Sequence, residues 1–316
     1  MISNEKIPLI VIVGPTASGK TNLAIELAIY FNTEIISADS MQIYKGLDIG
    51  TAKPDNFEMR GIPHHMINIA EPDTRYSVAD YVRDAKRAIL SIANSGKTPI
   101  IAGGTGLYID SLISNTQFSE IAVDINLRNK LKEIAIEKGG EYLLQYLRSI
   151  DEKTAQKLHF NDHKRIIRAI EVYETTGLPL SEWERRSKAE CPYNPFYIGL
   201  NCSNRQNLYD RINLRVDEMI NKGLVDEVKS LLAKGVPTDS TSMQAIGYKE
   251  IIAFLKGELT FNEAVDKVKQ ETRRYAKRQL TWFRKNKDIN WFYIDLEKLE
   301  EIYKNSKKMV ENYFFL

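Results

Sequence analysis

Apolar residues along this chain fall into two alternating patterns. Residues 7–13, IPLIVIV, form an unbroken β-branched run that stops at glycine, as a strand buried on both faces does. Just beyond, residues 21–31 set Leu23, Leu27 and Phe31 at i, i+4 and i+8, the stripe of a helix lying on a sheet. Residues 33–39, TEIISAD, predict a second short strand, and residues 78–96 predict a helix with Gly96 just past its end. Residues 98–104, TPIIAGG, give another strand that again enters glycines. Buried strands separated by helices predict a parallel α/β sheet, with ligands beyond the carboxyl ends of the strands.

The texture changes over residues 114–198. Residues 125–139, 140–150, 153–159 and 163–177 have helical character, and strand character returns only in residues 192–201, PYNPFYIGLN. Helices resume over residues 208–223, 225–235 and 247–257 and in a long basic stretch, residues 261–287. The expected organisation is an α/β core, a P-loop NTPase-like parallel sheet flanked by helices, from residues 1–113 and 199–316. An all-helical insertion domain, residues 114–198, interrupts it.

Composition narrows the class. With 316 residues, 43% hydrophobic and 27% charged, the chain has the balance of a soluble globular protein. It holds no apolar run of about 18 residues, so no membrane span is expected. The apolar N-terminal stretch runs straight into a glycine loop and reads as a buried strand rather than a secretory signal. Two cysteines, Cys191 and Cys202, make no disulfide framework and fit a reducing cytoplasm. A net charge of +2 means that any nucleic-acid-binding surface must be local.

The sharpest motif is Gly14, Pro15, Thr16, Ala17, Ser18, Gly19, Lys20 and Thr21, a GxxxxGK[ST] phosphate loop between a predicted strand and a predicted helix. Successive backbone N–H groups and the helix N-terminus make an anion cradle, Lys20 reaches terminal phosphate oxygens, and the Thr21 hydroxyl can sit on Mg²⁺. Diphosphate binding follows; which diphosphate does not.

Other strand ends are less specific. Asp39 and Ser40 close the second strand, where a carboxylate can serve as Mg²⁺ ligand, general base or solvated loop charge. Gly103, Gly104, Thr105 and Gly106 close another strand with no Walker-B acid, consistent with a ligand close to the backbone or with an ordinary turn. The pair His64 and His65 has no third ligand at metal spacing.

Residues 272–287 hold seven basic residues and no acidic one. On a helix, Arg273, Arg274, Lys277, Arg278, Thr281, Arg284 and Lys285 share a broad charged face, and Ala276, Leu280 and Phe283 pack down. Solvated faces usually mix Lys with Glu, so an acid-free face favours phosphate contacts over a bland surface. Lys164, Arg165 and Arg168 form a second cluster; Arg211 and Arg215 either grip phosphate or pair with Asp210 and Asp217.

Taken in order, GPTASGKT, ISADSMQIYKGLDIGTAKP, IAGGTGLYI, DHKRIIRAIEVYETTG, SMQAIGYKE and RRYAKRQLTWFR resemble the bacterial tRNA dimethylallyltransferases, also called isopentenyl-tRNA transferases. The resemblance covers nearly the whole chain. It implies transfer of a dimethylallyl group from dimethylallyl diphosphate to N6 of adenosine 37 in tRNA, with Mg²⁺ and without ATP consumption. The phosphate loop and Arg215 would then hold the donor diphosphate, Asp39 would be the general base, and Thr105 would help hold the acceptor adenine. The positions matching those that face tRNA are Asp39, Ser40, Met41, Gln42, Thr105, Arg128, Lys164, Arg165, Ile166, Ile167, Arg168, Gln244, Gly247, Tyr248, Lys249, Arg273, Arg274, Lys277, Arg278 and Gln279. The insertion would grip the anticodon stem-loop, and the enzyme is expected to be a cytoplasmic monomer. The competing classes are a small-molecule kinase, a relative that prenylates free AMP or ATP, and a non-catalytic RNA-binding protein.

Overall fold

The computed structural model describes residues 6–116, 124–187 and 189–315. The chain divides into two compact units, Met1–Ile113 with Pro192–Leu316, and Ser114–Cys191. The first unit begins with β1 (Ile7–Val13), α1 (Lys20–Tyr30), β2 (Ile35–Ala38), α2 (Asn56–Met59), β3 (His64–His65), α3 (Val78–Asn94), β4 (Ile100–Gly103) and α4 (Gly106–Ile113). The second unit holds α5 (Ile125–Ile150), α6 (Glu152–Ala155), α7 (His163–Thr176) and α8 (Leu180–Arg186). The first then resumes with β5 (Tyr193–Asn201), α9 (Arg205–Asn221), α10 (Leu224–Ala233), α11 (Tyr248–Leu255), α12 (Phe261–Phe283), β6 (Asn290–Tyr293) and α13 (Leu299–Phe314).

The six strands form one parallel sheet in the order β3-β2-β4-β1-β5-β6. Its centre, β1, is a run of β-branched and Leu side chains, and Leu9 through Val13 are fully buried. Such a strand survives only with helices on both faces. On one face Leu23 and Leu27 of α1 and Ile302 and Val310 of α13 join Ile10, Ile12 and Ile198 in a single cluster. The outermost strands, β3 and β6, escape the hydrophobic pattern because each has one neighbour only and includes half-exposed residues. The expected boundary at residue 198 needs correction: Tyr193 already pairs with Ile7, so the sheet resumes well before it.

In the second unit, α5 is interrupted at Gly139, whose φ of 81° and ψ of 163° are not helical. The sequence divides two helices at that point. Leu131, Leu143, Leu144 and Leu147 of α5 pack on Ile166, Ile167 and Ile170 of α7. Ile166 and Ile167 are 0% and 6% exposed, so these two expected tRNA-facing residues are core residues instead. Arg128 is also committed internally: its guanidinium donates to both carboxylate oxygens of buried Glu171, at 2.5 and 2.7 Å. Of the expected helix at residues 153–159, only Glu152–Ala155 is helical.

Gly103 permits the close contact between β4 and β2. A Cβ there would lie 2.2 Å from the Ala38 carbonyl oxygen, a backbone atom that cannot turn aside. Gly103→Ala is expected to lower the free energy of unfolding by about 2–3 kcal/mol, measured by denaturant titration. Arg128→Ala leaves the buried Glu171 carboxylate without its bidentate partner, with Arg168 remaining at 3.6 Å, and is expected to cost about 3 kcal/mol in the same assay.

Candidate active site

Strand register gathers the candidate residues. Ala38 pairs with Gly103 and Gly103 with Val13, so β2, β4 and β1 end level with one another. The phosphate loop leaves β1 there, Asp39 leaves β2, and Gly104 leaves β4. All three line one cavity of about 560 Å³, with Arg211, Leu214, Arg215 and Met219 of α9, Tyr275 and Gln279 of α12, and residues of the 48–55 loop.

One end of this cavity is built for negative charge. Gly19 takes a left-handed conformation (φ 84°) and starts α1 at Lys20. The Lys20 ammonium donates to the Pro15 carbonyl at 2.6 Å. Burial, then the neighbouring Arg215, pull its pKa down to about 7, against the opposite pull of Asp39. Burial also lowers the Arg215 pKa from its usual value, opposed by Asp39, Glu218 and Glu58. Among the described residues, Arg215 Nε and the Ser18 hydroxyl are buried without a hydrogen-bond partner. Arg211 Nε donates to the Ala17 carbonyl at 2.9 Å, joining α9 to the loop. Buried donors without acceptors are costly, and an anionic ligand supplies the acceptors.

The other end carries the carboxylate. Asp39 Oδ1 accepts from the backbone N–H of Met41 at 2.9 Å and of Gln42 at 3.3 Å, while Oδ2 accepts no hydrogen bond among the described residues. The carboxylate is thus held by one oxygen with the other available. Thr105 does not line the cavity; its hydroxyl accepts from the Ser40 N–H at 3.1 Å and bonds the Tyr275 hydroxyl. Burial, with the nearby Asp39 charge, pushes the Tyr275 pKa up to about 12. Tyr275 therefore stays a neutral phenol there.

Two supports for the 48–55 loop were not legible as such. Lys53, with a side chain only 3% exposed, donates to the Tyr44 carbonyl, Asp48 and Asn68 at 2.8, 2.6 and 2.6 Å. The Glu227 carboxylate accepts from three successive N–H groups, of Asp48, Ile49 and Gly50, and from the Tyr248 hydroxyl at 2.6 Å. In sequence, Glu227 is one more acidic residue in the first turn of a helix. Its partners lie too far along the chain to be inferred.

The expected tRNA-facing residues divide. Lys164, Arg165, Gln244, Arg274, Lys277 and Arg278 are exposed, as are Thr281 on α12 and Arg284 and Lys285 just past its end. Arg168 and Lys249 are partly exposed, within 3.6 Å of Glu171 and Glu250 respectively. Arg273 donates to Asn213 at 2.6 Å. Ser40, Met41 and Gln42 are half-buried, and Gln42 lines the cavity. Gly247 and Tyr248 are buried, with Tyr248 packed in the cluster around Ile43 and Ile251, so these two do not present a face to RNA, while Gln279 is buried from the outer surface but lines the cavity. His64 and His65 bond the Ile62 carbonyl and Glu34.

The residues fit a magnesium ion. The Thr21 hydroxyl follows the phosphate-loop lysine, and Thr21 and Asp39 both line the cavity. No group of three or more His, Cys, Asp or Glu able to hold a metal occurs among the described residues. A cation here would take its remaining ligands from water and phosphate oxygens, which is the ordinary habit of Mg²⁺.

A diphosphate needs the charged form of Lys20. Below pH 7 that form is already present; above it, binding must draw a proton from solution. The affinity for inorganic diphosphate is therefore expected to fall as pH rises through 7, toward roughly tenfold per unit. Calorimetric titration of wild type and Lys20→Arg across pH 6–9 checks this. The arginine variant stays charged and isolates the lysine from titration of the ligand itself.

A model described as IPP transferase matches residues 42–286 of this chain. A tRNA dimethylallyltransferase of Thermoanaerobacter sp. (strain X514) is 53% identical over 302 residues, which cover 95% of this chain and 96% of that protein. One from Caldanaerobacter subterraneus is 51% identical over 310 residues, 98% of this chain and 96% of that one. The crystal structure of the full-length tRNA isopentenylpyrophosphate transferase of Bacillus halodurans is 43% identical, covers 98% of each chain and superposes with a TM-score of 0.72. A eukaryotic dimethylallyltransferase acting on tRNA, 29% identical, gives a TM-score of 0.80 over 97% of this chain and 80% of its own. No helix among the described residues is long and apolar enough to cross a membrane. With a family model that covers most of its length and relatives more than half identical almost end to end, the chain belongs to the IPP transferase family.

Proposed function

We propose that this chain transfers a dimethylallyl group from dimethylallyl diphosphate to N6 of adenosine 37 in tRNA and releases diphosphate. The observation that carries the reading is the make-up of one cavity. Buried cations occupy one end, where Arg215 Nε and the Ser18 hydroxyl lack acceptors among the described residues, and a carboxylate with a spare oxygen occupies the other.

Loop amides, Lys20, Arg211 and Arg215 bind the donor's diphosphate. As the allylic C–O bond breaks, its electron pair goes to the diphosphate, whose added charge these fixed donors offset. The N6 lone pair forms the new C–N bond. Asp39 accepts the N6 proton through the oxygen that makes no protein hydrogen bond, while the Met41 and Gln42 N–H groups hold the other. Thr21 would hold Mg²⁺, which when bound supplies further positive charge for the leaving group. Thr105 steadies the Ser40 turn beside the acceptor. Ile49, Ala52, Leu214 and Met219 give the cavity apolar wall for a short prenyl tail.

The acceptor adenine must leave its stack to reach Asp39, which suits an anticodon loop better than a duplex. Arg274, Lys277 and Arg278 on α12, and Lys164, Arg165 and Arg168 on the insertion, serve as phosphate contacts that grip the anticodon stem-loop. We read the enzyme as a monomer acting in the cytoplasm, the compartment that its two cysteines, Cys191 and Cys202, fit.

Incubation with unmodified tRNA, dimethylallyl diphosphate and Mg²⁺, followed by nucleoside analysis, is expected to yield N6-isopentenyladenosine. Phosphoryl transfer from ATP in place of prenyl transfer overturns the reading. Asp39→Asn is expected to slow transfer by roughly 10²–10⁴-fold with tRNA affinity retained in a filter-binding assay. A large loss of tRNA binding instead contradicts the proton-accepting role.

A further inference from the structure

Gln279 lies in the most basic stretch of the chain, yet its side chain turns away from solvent and is 6% exposed. Its amide joins two segments from different strands. The carbonyl Oε1 accepts from the backbone N–H of Thr16, in the phosphate loop, at 2.9 Å. The Nε2 group donates to the Gly104 carbonyl, in the turn after β4, at 2.9 Å. An amide does both, whereas a carboxylate cannot donate to the carbonyl and an ammonium cannot accept from the N–H. The next residue after Gly104 is Thr105, whose hydroxyl holds the Ser40 N–H, one position beyond Asp39. Gly104 is shaped to this contact, since a Cβ there would lie 2.1 Å from Gln279 Nε2 and 3.2 Å from Cδ. The next nearest atom, the Gly14 carbonyl oxygen, is 3.6 Å away and would not obstruct it.

We propose that Gln279 is a positioning residue for prenyl transfer, which ties the donor's phosphate loop to the acceptor-side turn and so fixes the distance between leaving group and nucleophile. This rests on the function proposed above. Gln279 touches neither reacting atom. It acts through Thr16 and Gly104, and both segments line the cavity. A small error in that distance leaves each substrate bound but lowers the fraction of complexes in reactive geometry. The loss must therefore appear in kcat rather than in either affinity.

The test is a double-mutant cycle on the full chain, with kcat from saturating tRNA and dimethylallyl diphosphate, both dissociation constants, and the thermal midpoint. Gln279→Ala is expected to lower kcat roughly 10- to 100-fold, with both affinities within about threefold of wild type. Gly104→Ala, which displaces the amide, is expected to lower kcat comparably. The double variant removes the obstruction together with the amide, so its kcat is expected to match Gln279→Ala rather than the product of the two losses. If Gln279→Ala does not fold, Gln279→Glu serves; it keeps the acceptor for Thr16 and loses the donor to Gly104, and the same fall in kcat is expected. Multiplicative losses, a kcat within twofold of wild type, or a loss confined to tRNA affinity each overturn the proposal. A wild-type chain that transfers no prenyl group sinks the functional reading first, whereas wild-type transfer with intact kcat in the variants sinks this inference alone.

Discussion

The register of three parallel strands governs everything at the cavity: Ala38 of β2, Gly103 of β4 and Val13 of β1 pair in one line across the sheet. The chain leaves each strand from that line, so a phosphate loop, a carboxylate and a glycine turn open into one space. A register slip of one residue in β2 would turn its side chains to the opposite face and move Asp39 away from Lys20. Register in turn depends on helices that bury both faces of β1, and on Gly103, which lets β4 approach β2 as closely as it does.

At that line the protein concentrates positive charge where water is scarce. Burial disfavours the charged forms of Lys20 and Arg215, Arg215 adds to the effect on Lys20, and Asp39 offsets both only in part. The arrangement is unfavourable without an anion, because Arg215 Nε and the Ser18 hydroxyl lack acceptors. A diphosphate relieves the repulsion and satisfies the donors together. Preorganised donors of this kind stabilise negative charge that builds up on a leaving group, without rearrangement during a reaction.

Long-range side-chain ties hold the rest of the cavity in place. Glu227 gathers the 48–50 backbone, Lys53 fastens the same loop from below, Arg211 meets the phosphate loop, and Gln279 spans it to the Gly104 turn. Helix α12 has two distinct faces. Ala276, Gln279 and Phe283 point inward, while Arg274, Lys277 and Arg278 remain in solvent. Under the function proposed above, this one helix would serve both RNA contact and the geometry of transfer.

The sequence by itself determined the central strands, the helices that cover them, the phosphate loop and the break in α5. Each is written in short-range terms: a β-branched run, an i, i+4 stripe, a glycine motif at a strand end, a pair of glycines. It also placed Asp39 at the end of β2, where motif order made the family recognisable. Only the tertiary structure decided which residues of a basic or motif-matching segment face outward. Ile166, Ile167, Tyr248 and Gln279 sit among residues expected to meet tRNA, and all are buried. The edge strands and the Glu227 and Gln279 ties were likewise decided there. Their partners lie up to 263 residues away. A local pattern records periodicity along one segment, whereas a hydrogen bond across the fold depends on where two distant segments are brought by the packing of everything between them.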